Sequence, residues 1–160
     1  LSFFYASLGL WAQNAGSTGS WGEVIPTEVV GTAAANLPDG RVLLWASKFP
    51  QRFNDWGDGK TYTQIFDPST GGENGTLSSI LLSQTEHDMF CPGINNLADG
   101  TIMVSGGASN TKTSFFNFAT NTWTKGDEMV VPRGYHAGVT LANGDVFIDE
   151  GECSGGRNET

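Results

Sequence analysis

The sequence predicts an all-β fold built from repeated antiparallel sheets, in the manner of a β-propeller. Glycine accounts for 22 of the 160 residues without a collagen-like period, which is typical of many short strands joined by tight turns. A hairpin pattern recurs along the chain at a spacing that suits a propeller blade. No stretch shows a sustained helical period of apolar residues, so we expect almost no helix.

The recurring pattern is an apolar segment, an Asp-Gly or Asn-Gly pair, and a second apolar segment. Such a pair between two β-rich runs indicates a hairpin with a tight primed turn, because that turn needs a positive φ at its centre. The copies start 60 and then 44 residues apart, at 36–45, 96–107 and 140–148. A solenoid unit or a propeller blade has this scale.

A second feature alternates with the hairpins, and consists of a strand, a polar turn and the start of another strand. It occurs at 63–71 and again at 114–123. The alternation is similar to the kelch-type blade, in which Gly-Gly follows the second of four strands and Trp follows the turn between the last two. Gly106-Gly107 and Trp123 occupy those places. We therefore expect kelch-type blades at about 21–84, 85–130 and 131–160, the last of them incomplete.

Three blades do not close a ring, since propellers close with about four to eight blades. The chain is therefore expected to be part of a longer protein with a seven-bladed propeller.

The chain has a net charge of −9, which argues against a nucleic-acid partner, because phosphate backbones repel an acidic surface.

The first twelve residues are apolar and uncharged, and they are too few to span a bilayer. We interpret residues 1–19 as a truncated signal peptide and linker, and expect no membrane span in the mature chain. A buried first strand is the alternative. Sequons at Asn74 and Asn158 agree with a secreted glycoprotein.

Two short motifs carry chemical information: His-Asp-Met-Phe-Cys-Pro-Gly at 87–93 and Pro-Arg-Gly-Tyr-His at 132–136. With them the chain resembles the galactose oxidase family of copper radical oxidases from about Trp21 to Gly156. The resemblance implies that Cys91 is joined through its sulfur to the ring of Tyr135, and that the phenolate of Tyr135 binds copper. The two residues lie one repeat apart, which predicts that they meet at one end of adjacent sheets.

The resemblance also implies a reaction: a primary alcohol or sugar becomes an aldehyde while O2 is reduced to hydrogen peroxide. An ortho thioether donates electron density to the phenol and so makes its one-electron oxidation easier. Phe90, His87 and Arg133 are expected to surround this pair. Trp56, with Phe53 as the second choice, is expected to contact the substrate, although a surface or inter-blade aromatic is an equal alternative.

The chain departs from the family in several places. The family's two His ligands and its axial Tyr come from later sequence, and His136 is not expected to bind copper, because it follows Tyr135 and neighbouring side chains of a strand point to opposite faces. Cys153 stands where the family has a Trp stacked on the thioether, and Glu150 replaces a glycine. A Cys91–Cys153 disulfide is therefore an alternative to the thioether. The motif around Cys91 favours the thioether.

Three functions follow as hypotheses. The chain is the N-terminal part of a secreted copper radical oxidase, and is inactive by itself; or it is a non-catalytic kelch binding module with a degenerate site; or it is a structural domain of an extracellular glycoprotein. The first hypothesis implies copper as the cofactor, with a small alcohol or carbohydrate and O2 as reactants.

Overall fold

The computed structural model describes residue 19 and residues 21–52, 58–71, 75–153 and 156–157. Among these residues the chain is all-β, and its one helical element is a single 3-10 turn, Pro68–Thr70. No helix in the described part of the chain has the length and apolar character needed to cross a bilayer. The prediction of an all-β chain with almost no helix is confirmed.

Two four-stranded sheets contain strands that pair antiparallel in chain order. The first sheet comprises β1 (Ala33–Asn36), β2 (Val42–Trp45), β3 (Thr61–Asp67) and β4 (Thr76–Leu82). The second sheet comprises β5 (Gly93–Asn96), β6 (Ile102–Ser105), β7 (Thr113–Asn117) and β8 (Thr122–Lys125). Each sheet is thus a simple up-and-down unit of the kind that a propeller repeats.

A third unit follows and begins in the same way. It comprises β9 (Ala137–Thr140), β10 (Val146–Asp149), β11 (Glu152–Cys153) and β12 (Gly156–Arg157), paired as two hairpins. The first strands of the units are linked at one end: the Asn96 side chain donates to the carbonyl of Asn36 (3.2 Å), and the Thr140 hydroxyl donates to the carbonyl of Asn96 (2.9 Å). These bonds join β1, β5 and β9 in succession.

The three predicted hairpins are present, but their loops are longer than two-residue primed turns. In the first, the Gly40 amide donates to the Leu37 carbonyl (3.0 Å), and the Leu37 amide donates to the Arg41 carbonyl (2.9 Å). Gly40 alone in this loop has a positive φ, 88°. Asp39 favours this geometry, because its Oδ1 accepts the amide two residues on (3.2 Å). The predicted turn type is therefore wrong, and the same loop recurs at 97–101 and 141–145.

The core of the described chain lies between the first two sheets. The ring of Trp45 is fully buried and meets Trp123 edge to face, with 6.1 Å between ring centroids. Phe116 packs against Trp123 at 5.2 Å. The indole N–H of Trp45 donates to the carbonyl of Met89 (2.9 Å), which satisfies its polar atom and fixes the segment before the second sheet. These aromatic residues thus pack between repeat units.

Arg41 joins the first two sheets near their hairpin ends. Its guanidinium donates to the carbonyl of Phe118 (2.6 Å) and to the side-chain oxygen of Asn121 (2.7 Å). Asp39 pairs with the same guanidinium at 2.6 Å, and the hydrogen bond from Arg41 lowers the pKa of this carboxyl. Arg41 therefore connects two units through hydrogen bonds that a point charge cannot reproduce.

We expect Arg41→Ala to lower the free energy of unfolding by about 1–2 kcal/mol, because the carbonyl of Phe118 and the amide of Asn121 lose a charged donor. Arg41→Lys should recover only part of this loss, since lysine lacks the planar fork. Lys60→Ala is the control: its one described ion pair, with Asp58 at 3.7 Å, is at the surface. Urea denaturation measures all three, and an Arg41→Ala midpoint equal to that of the control would contradict the connecting role of Arg41.

Candidate active site

Two equivalent loops meet where the second and third units begin. Cys91 lies two residues before β5, and Tyr135 lies two residues before β9. The amide of Tyr135 donates to the carbonyl of Cys91 (3.1 Å). Their side chains also meet: a hydrogen bond with the Cys91 thiol is the main cause that raises the pKa of the Tyr135 phenol. The structure therefore brings together the two residues that the repeat spacing placed at one end of adjacent sheets.

Both residues have a left-handed backbone, with φ of 56° at Cys91 and 54° at Tyr135. This conformation costs a residue with a Cβ roughly 1–2 kcal/mol, and it is rare for an aromatic side chain. Such strain persists only where surrounding contacts impose it, and it concentrates at functional sites. The matching φ values show that Cys91 and Tyr135 have the same backbone conformation at equivalent positions of successive units.

The phenol of Tyr135 is open to solvent, with 64% of the residue exposed. It borders a shallow cavity of about 360 Å³, whose other lining residues are Ala137, Asp149, Glu150, Gly151 and Glu152. The charge of Glu152 adds a small further rise to the pKa of Tyr135. Cys91 is half-buried and is a free cysteine. A small molecule can thus reach the phenol, while the thiol lies at its side.

His87 is fully buried beneath this junction and has no nitrogen left for a metal. Its Nε2 lies 2.8 Å from the carbonyl of Gly106, which can only accept, so Nε2 carries the proton. Nδ1 must then accept from the hydroxyl of Ser114 (2.9 Å). Burial lowers the pKa of His87 from 6.5 to about 4, which keeps the imidazole neutral. His87 therefore supports the loops and does not touch the cavity.

Asp88 also organises the Cys91 loop, and sequence reasoning assigned it no role. It is buried, its Oδ2 accepts from Ser47 (3.1 Å), and its Oδ1 accepts from the amide of Phe90 (3.3 Å). Its carbonyl accepts the amide of Ser109 (3.1 Å). A carboxylate between His87 and Met89 in the conspicuous motif at 87–93 was the available signal, and its burial requires such hydrogen-bond partners.

Arg133 and Phe90 contribute mainly through their backbones. The carbonyl of Phe90 accepts the amide of Ala108 (2.9 Å), and the amide of Arg133 donates to the carbonyl of Asn110 (2.7 Å). The buried guanidinium of Arg133 donates to the carbonyl of Glu150. Glu150 has a φ of 51°, so it keeps the left-handed backbone that Gly106 has in the preceding unit at 62°. The substitution of glycine at this position therefore leaves the local path of the chain unchanged.

The described residues do not complete a copper site. His136 is buried, and its Nε2 lies 2.9 Å from the hydroxyl of Ser105. A Cβ on Gly93 would collide with its ring, which shows how closely β5 confines it. In the part of the chain that the structure describes, no three His, Cys, Asp or Glu side chains are grouped to hold a metal. Tyr135 therefore presents an exposed phenol oxygen with no cluster of these residue types beside it in the described part of the chain.

Several predicted site residues lie outside the described part of the chain. These are Phe53, Trp56, Asn74 and Asn158. Cys153 is described only by its main chain, as the last residue of β11. The main chains of Gly134 and Glu152 exchange hydrogen bonds of 2.9 and 2.7 Å, so β11 runs beside the Tyr135 loop.

Comparison with known proteins identifies relatives of this chain. No protein-family model matches it. Two curated proteins called galactose oxidase, both from Gibberella zeae and one of them from strain PH-1, are 41% identical over 139 residues, which is 86% of this chain and 20% of each relative. The solved structure of a novel fungal alcohol oxidase of the AA5 family, in complex with copper, superposes with a TM-score of 0.73 at 38% identity. That match covers 82% of this chain and 27% of the oxidase.

The chain spans about a fifth of the length of the curated relatives that it matches. Over this stretch, the prediction of a kelch-type β-propeller architecture is confirmed, since the sheets superpose on a homologous oxidase at substantial identity. Over the stretch that it spans, the chain is therefore a homologue of galactose oxidase.

Proposed function

We propose that this chain is the N-terminal part of a secreted copper radical oxidase and supplies its Tyr–Cys cofactor. In the proposed reaction a primary alcohol or a sugar loses two electrons and two protons and becomes an aldehyde, while O2 takes them up and becomes hydrogen peroxide. The observation that supports this function is the contact of Cys91 with Tyr135, both left-handed and both at the start of a propeller unit. Homology to galactose oxidase supports the same reaction class.

The cofactor is proposed to form by joining the Cys91 sulfur to a ring carbon beside the Tyr135 hydroxyl. The thiol S–H and one ring C–H break, one C–S bond forms, and two protons and two electrons leave. O2 accepts them and becomes hydrogen peroxide. The free state of Cys91 and its position beside the phenol are the starting geometry that this step requires.

Copper is the proposed metal of the complete oxidase, and Tyr135 is the residue of this chain that would bind it. Because the described residues offer no further grouped donors, we propose that the chain alone is inactive. Secretion and glycosylation at Asn74 and Asn158 are inferred from the sequence, as is substrate contact by Trp56 or Phe53. A small alcohol or carbohydrate suits the open cavity beside Tyr135.

We expect the deglycosylated full-length protein, loaded with copper in air, to be lighter by two hydrogen atoms than the same protein prepared without copper, and to stay so after reduction. A thioether has no S–S bond for a thiol to attack, whereas a Cys91–Cys153 disulfide would open and restore both hydrogens. Intact mass before and after reductant distinguishes the two bonds.

Two single substitutions provide matched controls for this measurement. Cys91→Ser should abolish the mass loss, and Cys153→Ser should leave it unchanged. Loss of the modification in the Cys153→Ser variant, or its reversal by reductant, would show that the sulfur of Cys91 is not bonded to Tyr135.

A second candidate function is a binding module with a degenerate site. The observation that favours it is the change at two positions near Tyr135, where Glu150 and Cys153 replace family residues. Absence of peroxide production by the copper-loaded full-length protein, together with an unmodified Cys91, would select this function.

A further inference from the structure

We propose that Gly107 is a positioning residue: it lets the loops of Cys91 and Tyr135 approach closely enough for their side chains to bond. The inference rests on the proposed function, in which these side chains form one cofactor. Sequence reasoning placed Gly106-Gly107 in the repeat pattern and gave this pair no part in the chemistry.

The backbone of Gly107 lies between the two loops. Its amide donates to the carbonyl of Arg133 (2.9 Å), two residues before Tyr135. On its other side, a Cβ would collide with the carbonyl oxygen of Phe90 and lie 3.3 Å from the nitrogen of Pro92, the two neighbours of Cys91. The Cα of Gly107 is also only 3.7 Å from where a Cβ on Gly134 would stand. Gly107 is thus bonded to the Tyr135 loop through Arg133 and leaves no room for a side chain on the side of the Cys91 loop.

The obstruction at Gly107 consists of backbone atoms, which cannot rotate away as a flexible side chain can. The carbonyl of Phe90 is itself held, because it accepts the amide of Ala108 (2.9 Å). The buried His87 fixes the preceding glycine through its bond to the Gly106 carbonyl (2.8 Å). A methyl group at position 107 must therefore move the Cys91 loop away from the Tyr135 loop.

The chain offers a matched control for backbone strain. Gly107 has a φ of 96° and Gly144 a φ of 93°, so alanine is similarly strained at both positions. A Cβ on Gly144, however, meets nothing within 4 Å. The two substitutions differ in the obstruction between the loops and little in conformational cost.

Disulfide trapping tests the approach of the loops without copper. In the full chain carrying Cys153→Ser and Tyr135→Cys, the introduced thiol can pair with Cys91, and a disulfide forms only if the two positions are close and well oriented. We expect Gly107→Ala to lower the equilibrium constant for this disulfide in a glutathione buffer at least about tenfold. A small increase in the distance between the two loops already strains a disulfide bond. Gly144→Ala should lower it by less than about threefold, although alanine is about equally strained there.

Each outcome separates the two proposals. The positioning role of Gly107 would be overturned if Gly107→Ala left the equilibrium constant for the disulfide unchanged. It would also be overturned if Gly144→Ala lowered that constant as much as Gly107→Ala does. Failure of the parent variant to trap at all would instead contradict the close approach of the two loops, whereas the proposed function fails if the intact-mass measurement leaves Cys91 unmodified. If Gly107→Ala does not fold by circular dichroism, the trapping is repeated for all variants in a stabilising osmolyte such as sucrose, which favours the folded state. An unchanged disulfide equilibrium for Gly107→Ala under that condition would also overturn the role.

Discussion

Tyr135→Phe is expected to abolish peroxide production by the full-length oxidase, with a loss of at least about a thousandfold in turnover, the scale seen when a residue that takes part in the chemistry is removed. Phenylalanine keeps the ring and its packing but has no oxygen to lose an electron or bind a metal. Because Tyr135 is 64% exposed and its hydroxyl faces the Cys91 thiol, folding should change little. A coupled peroxidase assay with a primary alcohol measures the loss.

Tyr62→Phe is the matched control for this substitution. The Tyr62 hydroxyl makes a long hydrogen bond to Glu28 (3.4 Å) in the first sheet, away from the junction of the second and third units. Its removal should leave both peroxide production and stability within error. Turnover by the Tyr135→Phe variant comparable to that of Tyr62→Phe would refute the role proposed for Tyr135.

Acidification from pH 6.5 to 4 is expected to remove about 3 kcal/mol of stability through His87 alone, since each pKa unit corresponds to about 1.4 kcal/mol. Burial lowers the pKa of His87 from 6.5 in the unfolded chain to about 4 in the folded one. Between pH 6.5 and pH 4 the imidazole is protonated in the unfolded state and neutral in the folded state. The free energy of unfolding therefore falls as the pH falls. Well above pH 6.5 both states are neutral, and this contribution is constant.

His87→Gln removes the titration and leaves an amide that can donate to Gly106 and accept from Ser114. The free energy of unfolding, measured by urea denaturation at several pH values, should show a shallower slope for this variant than for the parent chain between pH 6.5 and 4. Burial also lowers the pKa of His136, and the contribution of His136 to the slope is the same in both proteins. Parallel curves for the two proteins would show that His87 is not buried as a neutral imidazole.

The sequence was informative where one residue type determines one local conformation. The Asx-Gly pairs predicted all three hairpins, because only glycine readily takes the left-handed position that each loop contains. They did not predict the loop length, which depends on the side chain of Asp39 or its equivalents capping an amide. The aromatic residues between the sheets were predictable for a similar reason, since a buried indole has few alternatives to the core.

The candidate site was less predictable because it depends on tertiary contacts. Repeat spacing placed Cys91 and Tyr135 at the same end of adjacent sheets, but no local pattern indicates that both have a left-handed backbone. Bonds from distant segments impose this conformation, such as the bond from Gly107 to the carbonyl of Arg133. The buried partners of Asp88 are hidden from sequence for the same reason. The roles proposed for Trp56 and Phe53 stay predictions, since both residues lie outside the described part of the chain.

The left-handed backbone at Cys91 and Tyr135 has an evolutionary consequence. Glycine and asparagine adopt a left-handed backbone with less strain than cysteine or tyrosine. Natural selection for stability alone would therefore replace both residues. Under the proposed function, selection for their joint chemistry opposes that drift. Homologues without the proposed oxidation should therefore accumulate glycine or asparagine at these two positions together, while homologues that have it should retain the strained pair.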